Sequence, residues 1–177
     1  MVLIEDSRQQ KGQHENIARY CAAHGIEVRR MKLDTGDYIL PPAVSIDTKQ
    51  GMGEVYNNLV QDHDRFRAEC IRAQEAGTQL IILVENDDGI RSIDDVEMWH
   101  NPRIDAYYEK YAFALSARKY GRSDVKIPAP PMPSKRIARI METMTERYGV
   151  RWAFCGYEET GAKVVELLSG EHKLPFL

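Results

Sequence analysis

The chain has 177 residues, 43% hydrophobic and 29% charged, with a net charge of −3, which fits one soluble globular domain and leaves little room for a second. Its longest apolar run, Leu80 to Val84, is far short of the roughly 18 residues of a membrane span. Val2, Leu3 and Ile4 before Glu5 and Asp6 lack the basic start and long apolar run of a signal peptide, so a cytoplasmic protein is expected.

Val2 to Ile4 reads as a strand ending in two acids. A helix follows, with Ile17, Tyr20, Cys21 and His24 at helical spacing and Gly25 where a left-handed cap belongs. Ile26, Val28 and Met31 suggest a second strand, and residues 36–49 a hairpin turning at Pro42. Residues 54–76 read as helix in two pieces, broken near 62–64, with Phe66, Cys70 and Ala73 inward. Residues 79–84 have the continuous β-rich run of a central strand covered on both faces. Residues 86–101 show no period and read as an excursion loop containing Trp99, expected to tuck over the core. Pro102 precedes a helix over 103–120, and the proline-rich connection at 128–133 ends regular structure. Ser134 is placed as the cap of a helix whose stripe is Ile137, Ile140, Met141, Met144 and Tyr148, closed by Gly149. Val150, Trp152 and Phe154 alternate as a half-buried strand, and Val164, Val165, Leu167 and Leu168 belong to a closing helix. Strands alternating with helices predict an α/β fold, a central mixed sheet flanked by helices with the hairpin as its antiparallel part.

The hairpin raises the chemical question. With a turn centred on Pro42, residues whose numbers sum to 84 face each other, so Asp37 opposes Asp47, with Cβ atoms roughly 4.5–5.5 Å apart. Lys49 emerges beside Asp47, while Tyr38, Leu40, Val44 and Ile46 take the core face. Two facing carboxylates destabilise a sheet unless a cation lies between them. Oxygen ligands suit Mg²⁺, with Mn²⁺ as substitute, and Asp6 joins the set if its strand is adjacent. Metal, attacking water and Lys49 would together hydrolyse a phosphodiester. The triplet D-x-K is not specific, since 12 aspartates and 9 lysines supply about 0.6 of a copy by chance. Asp124 and Lys126 form a second copy; the opposed acid and apolar reverse face distinguish the one at Asp47.

These residues are similar to a known pattern. "GDYIL" followed by "IDTK", "IEDSRQ" at the start, "DRFRAEC", "LIILVEN" and the close "YGVRWAFCGYEETGAKVVELL" resemble the nuclease domain of XPF-type structure-specific DNA endonucleases, in the PD-(D/E)XK superfamily. The resemblance covers nearly the whole chain and implies a restriction-endonuclease-like core in a single nuclease domain over 1–177. It implies Asp37, Asp47 and Lys49 as catalytic residues, and Asp37, Asp47, the Thr48 carbonyl and Asp6 as metal ligands. Arg8 and Arg65 would lie near phosphates. Thr48 stands where the family's ERK motif has arginine, Gln9 where glutamate is usual, and the motif's last acid falls on Gly53, one place before Glu54. The helix-hairpin-helix module of many relatives has no counterpart, as expected of a short bacterial or phage form. DNA, branched by resemblance, is the expected partner, and relatives pair up, which implies a homodimer.

Between Arg118 and Arg139 seven basic residues accompany one acid, a +6 stretch on an acidic chain, and Lys135 and Arg136 there are candidate phosphate contacts. Cys21, Cys70 and Cys155 read as reduced core thiols rather than disulfides or zinc ligands. Against the nuclease stands a catalytically weakened DNA-binding or scaffolding relative, which the changes at Thr48 and Gln9 keep open.

Overall fold

A computed structural model of the chain describes all residues except 1, 11, 13, 41–43 and 170–177, and the backbone alone of Leu40. The expected turn at Pro42 lies outside the described residues. Six strands form one sheet in the order β2-β1-β3-β4-β5-β6: β1 Val2–Asp6, β2 Glu27–Met31, β3 Tyr38–Leu40, β4 Val44–Gln50, β5 Gln79–Glu85 and β6 Arg151–Cys155. The hairpin is the antiparallel part: β3 runs against both β1 and β4, whereas β1–β2, β4–β5 and β5–β6 are parallel. The sheet is therefore mixed, and the α/β expectation holds.

Helices cover both faces. On one lie α1 (Glu15–Ala23) and α7 (Thr160–Ser169), packed on each other over Leu3, Tyr38, Ile46, Ile81 and Leu83. On the other lie α2 (Met52–Tyr56), running through a π-helical turn Asn57–Gln61 to α3 (His63–Glu75), together with α4 (Ile93–Val96) and α6 (Ser134–Tyr148). The sheet's alternation decides this division, since Ile82 and Val84 of β5 face the second layer while Ile81 and Leu83 face the first. Among the described residues no helix is long and apolar enough to cross a membrane.

Several expectations change in detail. The excursion loop carries the short α4, started by Ser92 and Asp95 in a reciprocal capping box, and Trp99 is buried over the core as expected. Pro102 is the first residue of α5 (Pro102–Lys119), capped by the Asn101 side chain. Ser134 is not the cap of α6, because its hydroxyl donates to the Trp99 carbonyl at 2.6 Å and Pro133 holds the capping position. β6 is not half-buried: Ala153, Phe154 and Cys155 are all covered, since helices pack on both of its faces. The three cysteines are free and buried, as expected.

Candidate active site

Gly36 shapes the approach to β3. It takes φ 70°, and a Cβ there would collide with the Ser45 hydroxyl and stand 2.9 Å from the Ile46 carbonyl oxygen, so only glycine fits. The close approach lets the Asp37 N–H donate to the Ile46 carbonyl at 2.7 Å, and the Asp37 carbonyl accepts from the Asp6 N–H at 2.7 Å. The expected register holds from Leu40↔Val44 to Tyr38↔Ile46. Asp37 itself lies past the end of the ladder, not squarely opposite Asp47. Its Oδ2 accepts the Thr48 N–H at 2.9 Å and the Thr48 hydroxyl at 2.8 Å, completing the hydrogen bonding of β4 where β3 has stopped.

Asp37 and Asp47 nevertheless line one cavity of about 470 Å³, together with Asp6, Arg8, Asp34, Thr48, Lys49, Glu54, Asn58, Arg65, Glu69 and Arg72. The elements explain the convergence. β4 projects Asp47 and Lys49 toward α2 and α3; Gly51, at φ 94°, turns the chain so that Glu54 folds back to accept the Gln50 N–H at 2.8 Å. The i, i+4, i+7 spacing of Arg65, Glu69 and Arg72 puts them on one face of α3, and Glu69 accepts the Gly36 N–H at 3.1 Å.

Sequence reasoning missed Asp34, Glu69 and Arg72. The helical spacing from Arg65 was the available signal for the last two. It also left open which residue completes the motif, and Glu54, not Gly53, carries the side chain that lines the cavity. Lys135 and Arg136 are not among the lining residues; Lys135 sits at the start of α6, 4.0 Å from Glu97.

Six acids face four bases in the cavity, an excess of two negative charges. Lys49 Nζ lies 2.8 Å from Asp47 Oδ1 and 2.7 Å from Oδ2, and 3.6 Å from Glu54. Burial pushes the Asp47 carboxyl well above the usual carboxylate range, and Asp37 and Glu69 push it further against the pull of Lys49. Burial works against the charge on Lys49, but Asp47, Glu54 and Asp37 outweigh it and its ammonium titrates higher than usual. Burial and the neighbouring acids raise the Asp47 value, and the same acids raise that of Lys49 against its burial. Asp6 differs: burial pushes it up, yet hydrogen bonds and charge from Arg8 bring it below the usual range.

Whether such a site suits a divalent ion can be judged on its donors. Asp47 Oδ2 is buried and has Lys49 Nζ 2.7 Å away without an aligned hydrogen bond, so a divalent ion at this oxygen would share it with the lysine. The acidic donors are all oxygens, the set for Mg²⁺ or Mn²⁺ rather than zinc. Among the described residues no three acid, histidine or cysteine side chains converge closely enough to cage an ion. Mg²⁺ needs no cage, because it keeps several waters and binds through one or two carboxylates plus substrate phosphates. A larger groove of about 900 Å³ is lined by Asp88, Asp94, Asp95, Trp99 and His100 without a lysine or arginine, a lining poor in cations for a phosphate.

No family model matches the chain, and no curated protein is significantly similar to it. Among solved structures it resembles XPF from Aeropyrum pernix, with a TM-score of 0.61 at 15% identity over 98% of this chain and 66% of that one. XPF from Aeropyrum pernix in complex with DNA gives a TM-score of 0.58 at 16% identity over 99% of this chain and 68% of that one. The chain thus spans about two thirds of the structures it matches. Its domain therefore has the XPF-type, restriction-endonuclease-like fold, with the acidic cavity at the β3–β4 hairpin.

Proposed function

We propose that the protein is a Mg²⁺-dependent endonuclease that hydrolyses phosphodiester bonds in branched or flapped DNA. One observation carries the reading: Asp37, Asp47 and Lys49 meet in a cavity two charges too negative, flanked by Arg8, Arg65 and Arg72. The fold likeness to XPF supports it, as does that protein's solved complex with DNA. The preference for branched DNA rests on the resemblance alone.

Asp37 and Asp47 would hold the ion, with the Thr48 carbonyl and Asp6 as further oxygens. When bound, the ion supplies charge neutralisation at a phosphate oxygen and activation of water. Lys49, positioned by Asp47, stabilises the negative charge that develops during attack. Arg65 and Arg72 on α3, and Arg8 once free of Asp6, face incoming phosphates as cations. The Arg8 side chain is 60% exposed, but its guanidinium is bonded to both Asp6 carboxylate oxygens and to the Leu33 carbonyl, bonds that phosphate would have to displace. Lys135 and Arg136 would act only on DNA extending beyond the cavity.

Incubation with fork, flap, junction and linear duplexes in Mg²⁺ or Mn²⁺ tests the proposal. Cleavage of the branched forms is expected, with a loss of at least about 10³-fold in Asp47→Ala while the melting transition stays cooperative. A second reading, a DNA-binding scaffold, is favoured by the two ion pairs Asp47–Lys49 and Asp6–Arg8, which already satisfy the acids internally. Binding of the same DNAs without cleavage in either metal would support the scaffold and reject the nuclease.

We also place self-association in this proposal. Tyr108 and Leu115 are exposed on the 18-residue α5, which buries only Ala114 among its own residues. That exposed apolar surface is the face offered to a second copy.

A further inference from the structure

We propose that His14 and Thr48 are positioning residues that aim the Asp37 carboxylate at the cavity; the inference rests on the metal-dependent reading of that cavity. Both donors of Thr48, its N–H and its hydroxyl, fall on the single oxygen Oδ2 of Asp37, at 2.9 and 2.8 Å. The carboxylate is thereby held by one edge, and among the described residues no hydrogen bond is made to its Oδ1.

Thr48 is itself held from behind. Its hydroxyl has one hydrogen, which goes to the carboxylate, so toward His14 it can only accept. The His14 Nε2–H, 3.1 Å away, is the donor. The other ring nitrogen, Nδ1, faces Glu85 at 3.5 Å from Oε1 without an aligned hydrogen bond. Glu85 receives the Asn16 amide at 3.4 Å, and that amide also donates to the Tyr157 carbonyl at 2.6 Å. The His14 ring stands edge-on to Tyr38.

His14, Asn16, Thr48 and Glu85 are all buried. A polar chain thus runs from α1 and the end of β5 through Thr48 of β4 to Asp37, the hairpin acid that lies outside the ladder. The Asp47 side chain has a lysine to fix it, whereas among the described residues the Asp37 side chain is held by this chain, its backbone being bonded to Ile46 and Asp6.

If the chain were only a way of satisfying buried groups, its loss would lower stability and leave the cavity's chemistry unchanged. A positioning role predicts more. Outer partners of metal ligands are worth roughly 10–100-fold in metal affinity or activity. Thr48→Val keeps the shape and removes the hydroxyl; His14→Leu removes the donor behind it. Thr48→Ser and His14→Gln keep a hydroxyl and an N–H at about the same reach.

The experiment measures Mn²⁺ binding by competition with a fluorescent chelator, and kcat against KM on a cleaved DNA, in all four variants and the parent. We expect Thr48→Val to weaken Mn²⁺ binding by about tenfold or more and His14→Leu by a smaller factor. We expect kcat to fall with KM for DNA unchanged, and the Ser and Gln variants to recover most of the loss. Parent-like Mn²⁺ affinity in folded Thr48→Val, or in folded His14→Leu should the valine variant not fold, would overturn the inference alone. A parent protein that binds no Mn²⁺ would instead overturn the metal reading on which it rests.

Discussion

At the scale of single residues, the buried pair Asp47–Lys49 decides how the protein responds to pH and metal. The folded-state value of Asp47 lies above that of an unfolded aspartate, near 3.8, because burial and neighbouring acids outweigh Lys49. Its favourable contribution is therefore complete below the unfolded value and is lost as pH rises through the folded one. Asp47→Asn removes that loss. Breaking a buried pair outright costs about 3–5 kcal/mol, but the Asn carbonyl still accepts from Lys49 and Glu54 stays near, so the cost here is smaller. In metal-free buffer the Tm of Asp47→Asn relative to the parent should be more positive at pH 7 than at pH 4, with Mn²⁺ raising the Tm of the parent only. A difference that runs the other way with pH would identify a fully ionised structural pair and remove the electrostatic case for a cation.

Among elements, the hairpin was the most legible part of the sequence and also the place where sequence logic stopped short. Alternation over Tyr38 to Ile46 fixed both register and core face, because a one-residue slip would bury the wrong set. What alternation could not show is where β3 begins, since that depends on Thr48 finding Asp37 and on the close approach at Gly36. Capping by Ser134 failed for a similar reason: a tertiary partner, the Trp99 carbonyl, outbid the local one. Glu69 and Arg72 share a face with Arg65 by spacing alone, since Phe66, Cys70 and Ala73 read as inward; that this face looks onto the hairpin acids needed the fold. Gly36 offers the sharpest test at this scale. Gly36→Ala carries the left-handed cost and a clash with β4, whereas Gly25→Ala, at φ 64° with open space around it, carries the conformational cost alone. Urea unfolding should show about 1 kcal/mol lost at Gly25 and clearly more, about 2–4 kcal/mol, at Gly36. Equal losses would mean the close approach to β4 is not what holds Asp37 in place.

For the whole molecule, α5 is the part whose sequence the isolated fold does not explain. Packed helices bury a stripe, yet Tyr108, Phe113 and Leu115 are exposed here and the covered line runs through Ala114. The helix expected over 103–120 is present, but no partner for it was legible, because a core stripe and an interface stripe read alike in sequence. Charge along α5 is uneven: its two acids, Asp105 and Glu109, lie in the first half with Arg103 and Lys110, leaving that half neutral, while Arg118 and Lys119 make the end basic. Two copies crossing antiparallel about the middle of the helix would set Tyr108 of one against Leu115 of the other, and Asp105 beside Arg118 and Lys119, twice over by symmetry. A parallel crossing would stack like charges instead. The arrangement predicts a dimer in sedimentation that weakens with salt, becomes monomeric in Tyr108→Glu or Leu115→Glu, and weakens in Asp105→Arg alone. Adding Arg118→Asp and Lys119→Glu to Asp105→Arg should restore it, since reversing both ends of a symmetric pair recovers the complementarity. A parent protein that sediments as a monomer at tens of micromolar would reject the pairing, and a dimer indifferent to all of these changes would move it off α5.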